Sequence, residues 1–152
     1  MSLQSVKDFF GRHAPEIAVI ETEASSATVA LAAEAHGVVP DQIAKTICLR
    51  IGAEPVLVVA AGTKRLDNRK FKDRFGVKPR MLDAEEVLAT TSHPVGGVCP
   101  FGLPAPIKIF CDVSLQAFDE VVPAAGATNA AVRITPQRLI ALTGAEWADL
   151  CQ

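Results

Sequence analysis

Two apolar stretches separated by a short polar segment, "KTICLRI" at residues 45–51 and "PVLVVAAG" at residues 55–62, organise this chain. In the first stretch, Ile47, Leu49 and Ile51 occupy alternate positions, which is typical of a strand with one buried face. The second stretch is apolar throughout, as expected for a strand buried on both faces at the centre of a sheet. The "GAE" between them combines a glycine with polarity and suits a hairpin turn. The sequence therefore predicts a central β-hairpin.

The segments before this hairpin predict two helices and one strand. "SVKDFFGRH" is amphipathic and predicts a short helix that ends near Gly11, and "IAVIE" predicts a first strand. In "ATVALAAEAHGV", Thr28 has the position of an N-cap and Gly37 that of a C-cap around an alanine-rich helix. A further helical turn at "PDQIA" leads into the hairpin.

Helical and strand patterns alternate after the hairpin. "DNRKFKDRF" and "DAEEVLATT" predict helices, the second capped by Asp83, and "SLQAF" predicts a helical turn. Strands are predicted at "KPRML", "IKIFCD", "EVVPAAG" and "AAVRIT", and Thr135 with Pro136 begins a last helix, "PQRLIALTGAEWADL". Because strands dominate the middle and helices lie at both ends, the pattern predicts an α+β fold, a mixed α/β sheet with helices packed against it.

The length and composition of the chain predict a single globular domain over residues 1–152. Hydrophobic residues make up 49% and charged residues 21%, which is a globular composition. The longest apolar run, residues 56–62, is far shorter than the roughly 18 residues that cross a bilayer, and the amino terminus lacks the apolar region of a secretory signal. We therefore expect a soluble, cytoplasmic protein with no membrane partner. The four cysteines form no CxxC pair and predict neither a metal site nor a disulfide framework.

Positive charge is concentrated in one segment of a chain whose net charge is -2. Eight of the fifteen Lys and Arg residues lie between Lys64 and Arg80, together with only two acidic residues. A basic segment on an acidic protein can dock a polyanion, such as a nucleic-acid backbone, in one orientation. The alternative is a solvated helix face, because Phe71 and Phe75 lie one turn apart and would leave the charges outside.

Lys45 occupies a position on the apolar face of its strand, because it shares the parity of Ile47, Leu49 and Ile51. An unpaired buried ammonium is costly. Three interpretations remain open: the side chain extends past the end of the sheet to water, pairs with a carboxylate, or lines a cavity that admits a charged ligand.

A second unusual segment is "HPVGGVCPFGLPAP" at residues 93–106. Between Pro94 and Pro106, four residues are proline and three are glycine, so some φ angles are restrained while others are free to be positive. Such a stiff loop is suited to hold backbone N–H groups toward a ligand. The plain alternative is turn geometry alone.

These segments occur in an order that resembles a known family. The lysine after "GVVPDQIA", the segment "GGVCPFGLP", "IFCD" and the closing "GATNAAVRITPQRLIALTGA" together resemble the YbaK/ProX family of aminoacyl-tRNA editing domains, from about Thr28 to Leu150. The resemblance implies a mixed sheet of largely antiparallel strands. It also implies hydrolysis of the ester that joins a mischarged small amino acid to tRNA, in many members tRNA specific for proline. The implied partners are mischarged aminoacyl-tRNA and a synthetase, and we expect no cofactor and no metal.

The resemblance assigns catalytic roles to Lys45, Gly96 and Gly97. Lys45 matches the family's functional lysine, which is implied to hold the 3′-terminal adenosine of the tRNA through phosphate or ribose oxygens. Gly96 and Pro100 match the ends of the family's GxxxP loop, where N–H groups would steady the oxyanion as water attacks. No general base stands in the motifs, and the family is implied to recruit the vicinal 2′-hydroxyl of the substrate's ribose.

Two further sets of residues are expected to bind the substrate. The expected substrate-binding residues are Thr28, Thr46, Val98, Cys99, Pro100, Phe101 and Asn129. The expected tRNA-binding residues are Lys64, Arg65, Arg69 and Lys70. Asn129 has a plain alternative as a turn residue.

Two rival functions remain open. Cys99 lies in a glycine-rich loop six residues from His93 and is a candidate nucleophile of a thiol-dependent hydrolase. A binding module that holds tRNA ends or nucleotides without turnover is the main alternative to an enzyme, although an intact Lys45 and GxxxP loop favour catalysis. The sequence does not rank alanine, serine, cysteine and threonine as the amino acid removed, and it gives no oligomeric state.

Overall fold

Five α-helices and eight strands form the fold, as seen in a computed structural model that describes residues 2–152. The helices are α1 (Ser2–His13), α2 (Val29–His36), α3 (Asn68–Phe75), α4 (Ala84–Thr91) and α5 (Pro136–Thr143). The strands are β1 (Ile20–Glu21), β2 (Ile43–Ile51), β3 (Glu54–Ala61), β4 (Arg80–Met81), β5 (Lys108–Asp112), β6 (Val122–Pro123), β7 (Ala130–Ala131) and β8 (Glu146–Ala148). Short 3₁₀ helices occur at Pro40–Gln42 and Val113–Ala117. The predicted α+β class is confirmed.

The predicted hairpin lies at the centre of the main sheet. β2 and β3 pair antiparallel from Ala44 opposite Ala61 to Ile51 opposite Glu54. The strand order is β4-β2-β3-β5-β8, with β6 against β2, so β3 has neighbours on both edges. Its residues from Val56 to Ala61 are buried, which confirms the central position predicted from an unbroken apolar run.

The sheet is mixed, as expected, with antiparallel pairing of β2 to β3 and β4 and parallel pairing elsewhere. β5 lies parallel to β3, β8 parallel to β5, and β6 parallel to β2. The prediction of one helix from Pro136 to Leu150 was wrong in its second half. Gly144 ends α5 in the left-handed conformation at φ 70°, and the chain then returns to the sheet as β8.

The helix boundaries follow local capping signals. The Thr28 side chain accepts a hydrogen bond from the Leu31 N–H at the start of α2, and Gly37 closes that helix at φ 67°. Asp83 forms a capping box with Glu86 at the start of α4. The exception is α1, which continues through Gly11 to His13.

Hydrophobic clusters cover both faces of the sheet. Leu57 and Ile109 belong to the larger cluster, whereas Leu49, Val58 and Phe71 belong to the cluster beneath α3. Alternate residues of a strand point to opposite faces, so Lys45 shares the α3 face with Leu49. A third cluster joins α2 to the start of β2 and encloses the site described next. None of the helices within residues 2–152 is long and apolar enough to cross a membrane.

Candidate functional site

A cavity of about 190 Å³ lies where β2 begins. Four segments line it: residues 26–29 and 32 around the start of α2, residues 43–46 of β2, residues 95, 96 and 98 of the Pro/Gly loop, and residues 122, 124, 130 and 131. Among the predicted site residues, the fold therefore brings together Thr28, Lys45, Thr46, Gly96 and Val98. The remaining lining residues are mostly alanine and valine, which makes the walls apolar and the space narrow.

Gly96 forms the wall that faces the entry to α2. Its φ is 91°, and a Cβ at this position would lie 3.0 Å from the Ala27 Cβ. The backbone conformation and the close approach both require glycine. The loop is therefore held with its main chain, rather than a side chain, against the cavity.

Gly97 points elsewhere, and its predicted role as an oxyanion donor is corrected by its hydrogen bonds. Its N–H donates to the Pro94 carbonyl oxygen at 2.9 Å, and its carbonyl oxygen accepts from the Gly126 N–H at 2.9 Å. A Cβ here would lie 2.7 Å from the Ala127 nitrogen. Gly97 thus fastens the loop to the segment before β7 and does not line the cavity.

Three other amides of the loop are available for a ligand. The N–H groups of Val95, Gly96 and Val98 donate to no acceptor within residues 2–152, and all three residues line the cavity. Backbone N–H groups without a protein partner bind water or an anionic ligand. Because Gly96 and Val98 lie within the GxxxP segment and Val95 precedes it, Gly96 and Val98 are the candidate donors for an oxyanion.

Lys45 lines the cavity with a partly buried side chain. Its ammonium donates to the Lys64 carbonyl oxygen and forms no ion pair within residues 2–152. Burial lowers the pKa of Lys45 below its ordinary value, although Asp41 nearby opposes the shift. An ammonium has three donors. The arrangement leaves N–H donors of the ammonium free for a ligand oxygen.

Hydroxyl groups supply the other polar side chains of the cavity. Thr28 is exposed, and its oxygen accepts the Leu31 N–H at 3.2 Å. Ser26 is buried and donates to the Thr128 carbonyl oxygen at 3.2 Å. Thr46 differs, because its Oγ1 is buried without any hydrogen-bond partner within residues 2–152. Sequence analysis missed Ser26, since no pattern in "EASSAT" separates it from an ordinary loop serine.

Three of the predicted substrate-binding residues, Pro100, Phe101 and Asn129, lie outside the cavity. Phe101 is fully buried in the core, where its ring lies 4.7 Å from that of Phe10. Pro100 lines a separate hollow beside α1. The Asn129 side chain donates to the Thr22 carbonyl oxygen at 3.0 Å and so joins the strands β1 and β7. Pro100 and Phe101 are corrected to structural positions because the loop turns toward α1 after Val98, and Asn129 because its side chain bonds to the backbone of Thr22.

Cys99 is also a structural residue. Its side chain is fully buried, and burial raises the pKa of its thiol to about 12. His93 Nε2 lies 3.5 Å from Cys99 Sγ, but burial lowers the pKa of His93, so this histidine provides no cation to activate the thiol. Because a nucleophilic cysteine needs a thiolate within reach of substrate, these observations contradict the thiol-hydrolase interpretation.

The basic segment begins beside the cavity and then covers α3. The Lys64 carbonyl oxygen receives the Lys45 ammonium, and Arg65 and Arg69 are exposed. Lys70 instead pairs with Asp149 at 3.0 Å. Arg65 and Arg69 share their lack of an ion pair within residues 2–152 with the exposed Lys72, Lys78 and Arg80, but Arg65 lies close enough to Lys45 for its charge to lower the pKa of that lysine. No cluster of His, Cys, Asp and Glu side chains suited to a metal ion occurs within residues 2–152.

Comparisons with known proteins agree on one family. A model of the aminoacyl-tRNA editing domain family matches residues 23–142. The uncharacterized protein YwhH of Bacillus subtilis is 45% identical over 154 residues, covering 100% of this chain and 98% of that protein. The proline–tRNA ligase of Citrifermentans bemidjiense is 32% identical over 94 residues, which cover 61% of this chain and 16% of that enzyme.

A solved structure resembles nearly the whole chain. The crystal structure described as "a putative trans-editing enzyme for prolyl tRNA synthetase" superimposes with a TM-score of 0.91 and 34% sequence identity. The match covers 99% of this chain and 97% of that one. The structure of the hypothetical protein APE2540 matches with a TM-score of 0.89 and 32% identity. The architecture and the segments around the cavity are therefore shared with these proteins.

Proposed function

This chain belongs to the aminoacyl-tRNA editing domain family, and from that premise we propose that it is a trans-editing deacylase. The proposed reaction is hydrolysis of the ester between a mischarged small amino acid and the 3′-terminal ribose of tRNA. One observation carries the proposal: Lys45, Gly96 and Val98 line a single small cavity, and the N–H groups of Gly96 and Val98 have no acceptor within residues 2–152.

The cavity size supports a small acyl group. At about 190 Å³ it is smaller than the roughly 300–1,000 Å³ of sites that enclose drug-sized ligands. Its alanine-rich walls leave space for a short side chain, while the rest of the tRNA stays outside. Rejection of larger acyl groups then follows from steric exclusion.

The Pro/Gly loop supplies the proposed electrostatic stabilisation. When water attacks the ester carbonyl, negative charge develops on its oxygen. The Gly96 and Val98 amides would donate to that oxygen, and one such preorganised donor typically contributes ~3 kcal/mol to the transition state. The prolines and the Gly97 contacts hold these donors in place before the substrate arrives.

Lys45 is proposed to bind the terminal nucleotide. One of its three N–H donors is engaged by the Lys64 carbonyl oxygen, which orients the ammonium while leaving donors for phosphate or ribose oxygens. A compact point charge suits this task better than a planar guanidinium.

Activation of water is assigned to the substrate rather than to a side chain. The residues that line the cavity include no Asp, Glu or His. We propose that the vicinal 2′-hydroxyl of the ribose positions or deprotonates the water. An aminoacyl ester is labile, so positioning and electrostatics supply most of the acceleration.

The proposed partner is mischarged tRNA specific for proline. The support comes from sequence identity to a region of proline–tRNA ligases and from the printed description of the similar crystal structure. A prolyl-tRNA synthetase, whose errors the deacylase would correct, is the second proposed partner.

The experiment is a deacylation panel with tRNA specific for proline, charged separately with alanine, cysteine, serine and proline. We expect faster release of at least one non-cognate amino acid than without protein, and loss of that release with Lys45→Ala. Cys99→Ser is the matched control and should keep activity, because Cys99 is buried outside the cavity. If no amino acid is released while tRNA still binds, the binding module replaces the enzyme.

A further inference from the structure

The Thr46 hydroxyl is the one polar side-chain group among the cavity-lining residues that has no hydrogen-bond partner within residues 2–152. Thr46 lies at the start of β2 among the lining residues, and its Oγ1 is covered by protein without a hydrogen-bond partner in residues 2–152. Buried polar atoms nearly always have partners, and an unpaired one is unfavourable. An unpaired hydroxyl in a candidate binding cavity therefore indicates that its partner arrives with the ligand.

The neighbouring hydroxyls do not share this property. Ser26 Oγ already donates to the Thr128 carbonyl oxygen, and Thr28 is exposed to water and caps α2. Thr46 is only partly buried as a residue, although its Oγ1 is covered. Rotation about one side-chain torsion exchanges the methyl and hydroxyl groups of a threonine, and staggered rotamers make that exchange accessible. The hydroxyl can therefore turn to a group in the cavity without movement of the strand.

The chemistry of the cavity limits what that group can be. The substrate's ammonium is a poor match, because the lining residues carry no carboxylate and include the ammonium of Lys45. A neutral hydroxyl or thiol on the substrate's side chain is a better match, because it both donates to and accepts from a threonine hydroxyl. Alanine offers no such group and would enclose Thr46 Oγ1 unpaired.

We propose that Thr46 determines specificity, and that the preferred substrate carries a small amino acid with a hydroxyl or thiol on its β-carbon. This inference rests on the proposed function, since it concerns the acyl group of the same reaction. A substrate hydroxyl or thiol would supply the hydrogen bond that Thr46 Oγ1 lacks in the free protein, and an analogue without that group gains no such bond.

The test compares acyl groups of matched size. Transfer RNA specific for proline is acylated with serine, cysteine, threonine, alanine or 2-aminobutyrate, the last being close in size to serine and cysteine but without a polar side chain. We expect the wild-type protein to release serine or cysteine at least about tenfold faster than 2-aminobutyrate and alanine. This ratio tests the inference without any substitution.

Two substitutions test whether Thr46 is the residue that discriminates between serine and 2-aminobutyrate. Thr46→Val removes the hydroxyl at nearly constant volume and should bring the ratio of serine to 2-aminobutyrate release close to one, with release of 2-aminobutyrate unchanged or faster. Thr46→Ser keeps the hydroxyl and should keep the preference. Melting temperatures of both variants establish that they are folded, and Thr46→Val should be at least as stable as wild type because it removes an unpaired buried hydroxyl.

The outcomes separate this inference from the proposed function. Release of no acyl group would overturn both. Release of alanine or 2-aminobutyrate as fast as serine and cysteine, or a serine preference that survives Thr46→Val, would overturn the role of Thr46 and leave the deacylase proposal standing.

Discussion

His93 Nε2 lies 2.7 Å from the carbonyl oxygen of Phe101. A carbonyl oxygen only accepts, so Nε2 carries the proton of a neutral imidazole, and Nδ1 faces the hydroxyl of Ser2 at 2.5 Å. The ring is fully buried. His93 thus joins the two ends of the Pro/Gly loop and connects them to α1.

This contact predicts a pH-dependent stability. Burial lowers the pKa of His93 in the folded protein, so protonation favours the unfolded chain. The stability that neutral His93 contributes is therefore lost as pH falls from about 6.5, the pKa in the unfolded chain, through the lower pKa in the folded protein. His93→Gln keeps a donor for the Phe101 oxygen and should flatten the dependence of melting temperature on pH between about 7 and 5. An unchanged slope in this variant would assign the acid sensitivity to other groups. His93→Ala should lose about 2–4 kcal/mol of stability, because it leaves a cavity and an unpaired carbonyl.

Gly97→Ala should disrupt the loop. The new Cβ would lie 2.7 Å from the Ala127 nitrogen, so backbone must shift, at a cost of about 1–3 kcal/mol. We expect a lower melting temperature and slower deacylation, because the amides of Gly96 and Val98 move with the loop. Gly11→Ala is the matched control: it meets no atom within 4 Å in α1 and should stabilise the protein by up to ~1 kcal/mol. Equal melting temperatures for the two variants would argue against the tight contact.

Lys45 should make ligand binding sensitive to alkaline pH. Because burial lowers its pKa, the ammonium loses its charge below the ordinary lysine value of about 10.4, and affinity for an anionic ligand falls as pH rises toward that value. A non-hydrolysable amide analogue of aminoacyl-adenosine phosphate, titrated by calorimetry from neutral to alkaline pH, measures this. Lys45→Ala should bind about 10- to 100-fold more weakly at neutral pH. Wild-type affinity that stays constant up to pH about 10 would contradict the proposed contact.

Arg65 and Arg69 should contribute to tRNA binding but not to ester hydrolysis. Arg65 is exposed and close to Lys45, and Arg69 is exposed in the first turn of α3, whereas Lys70 is paired with Asp149. Replacing either arginine with alanine should weaken binding of whole tRNA. It should also reduce the slope of log affinity against log salt concentration by about one, because one fewer phosphate contact is made. Hydrolysis of a short aminoacylated oligonucleotide should stay unchanged. Arg12→Ala removes the same charge from α1, beside the other hollow, and serves as the control; an equal effect of this variant would indicate nonspecific electrostatics.

Local patterns were sufficient to predict much of the fold. Alternating and unbroken apolar runs identified β2 and β3, and Thr28, Gly37 and Asp83 marked helix ends, because strand periodicity and capping depend on residues a few positions apart. The strand β8 was missed, because its pairing with β5 depends on a distant partner that no local pattern reveals.

The candidate site was likewise predicted from the sequence only in part. The sequence and its family resemblance located Lys45 and the loop around Gly96, since unusual residue types mark both positions. Only the tertiary structure determined which loop residues face the cavity. Gly97 packs against the backbone of Gly126 and Ala127, and Phe101 packs in the core against the Phe10 ring of α1. The tertiary structure also leaves Thr46 Oγ1 without a hydrogen-bond partner within residues 2–152. These outcomes depend on contacts between segments far apart in the chain, and packing, rather than local propensity, selects them.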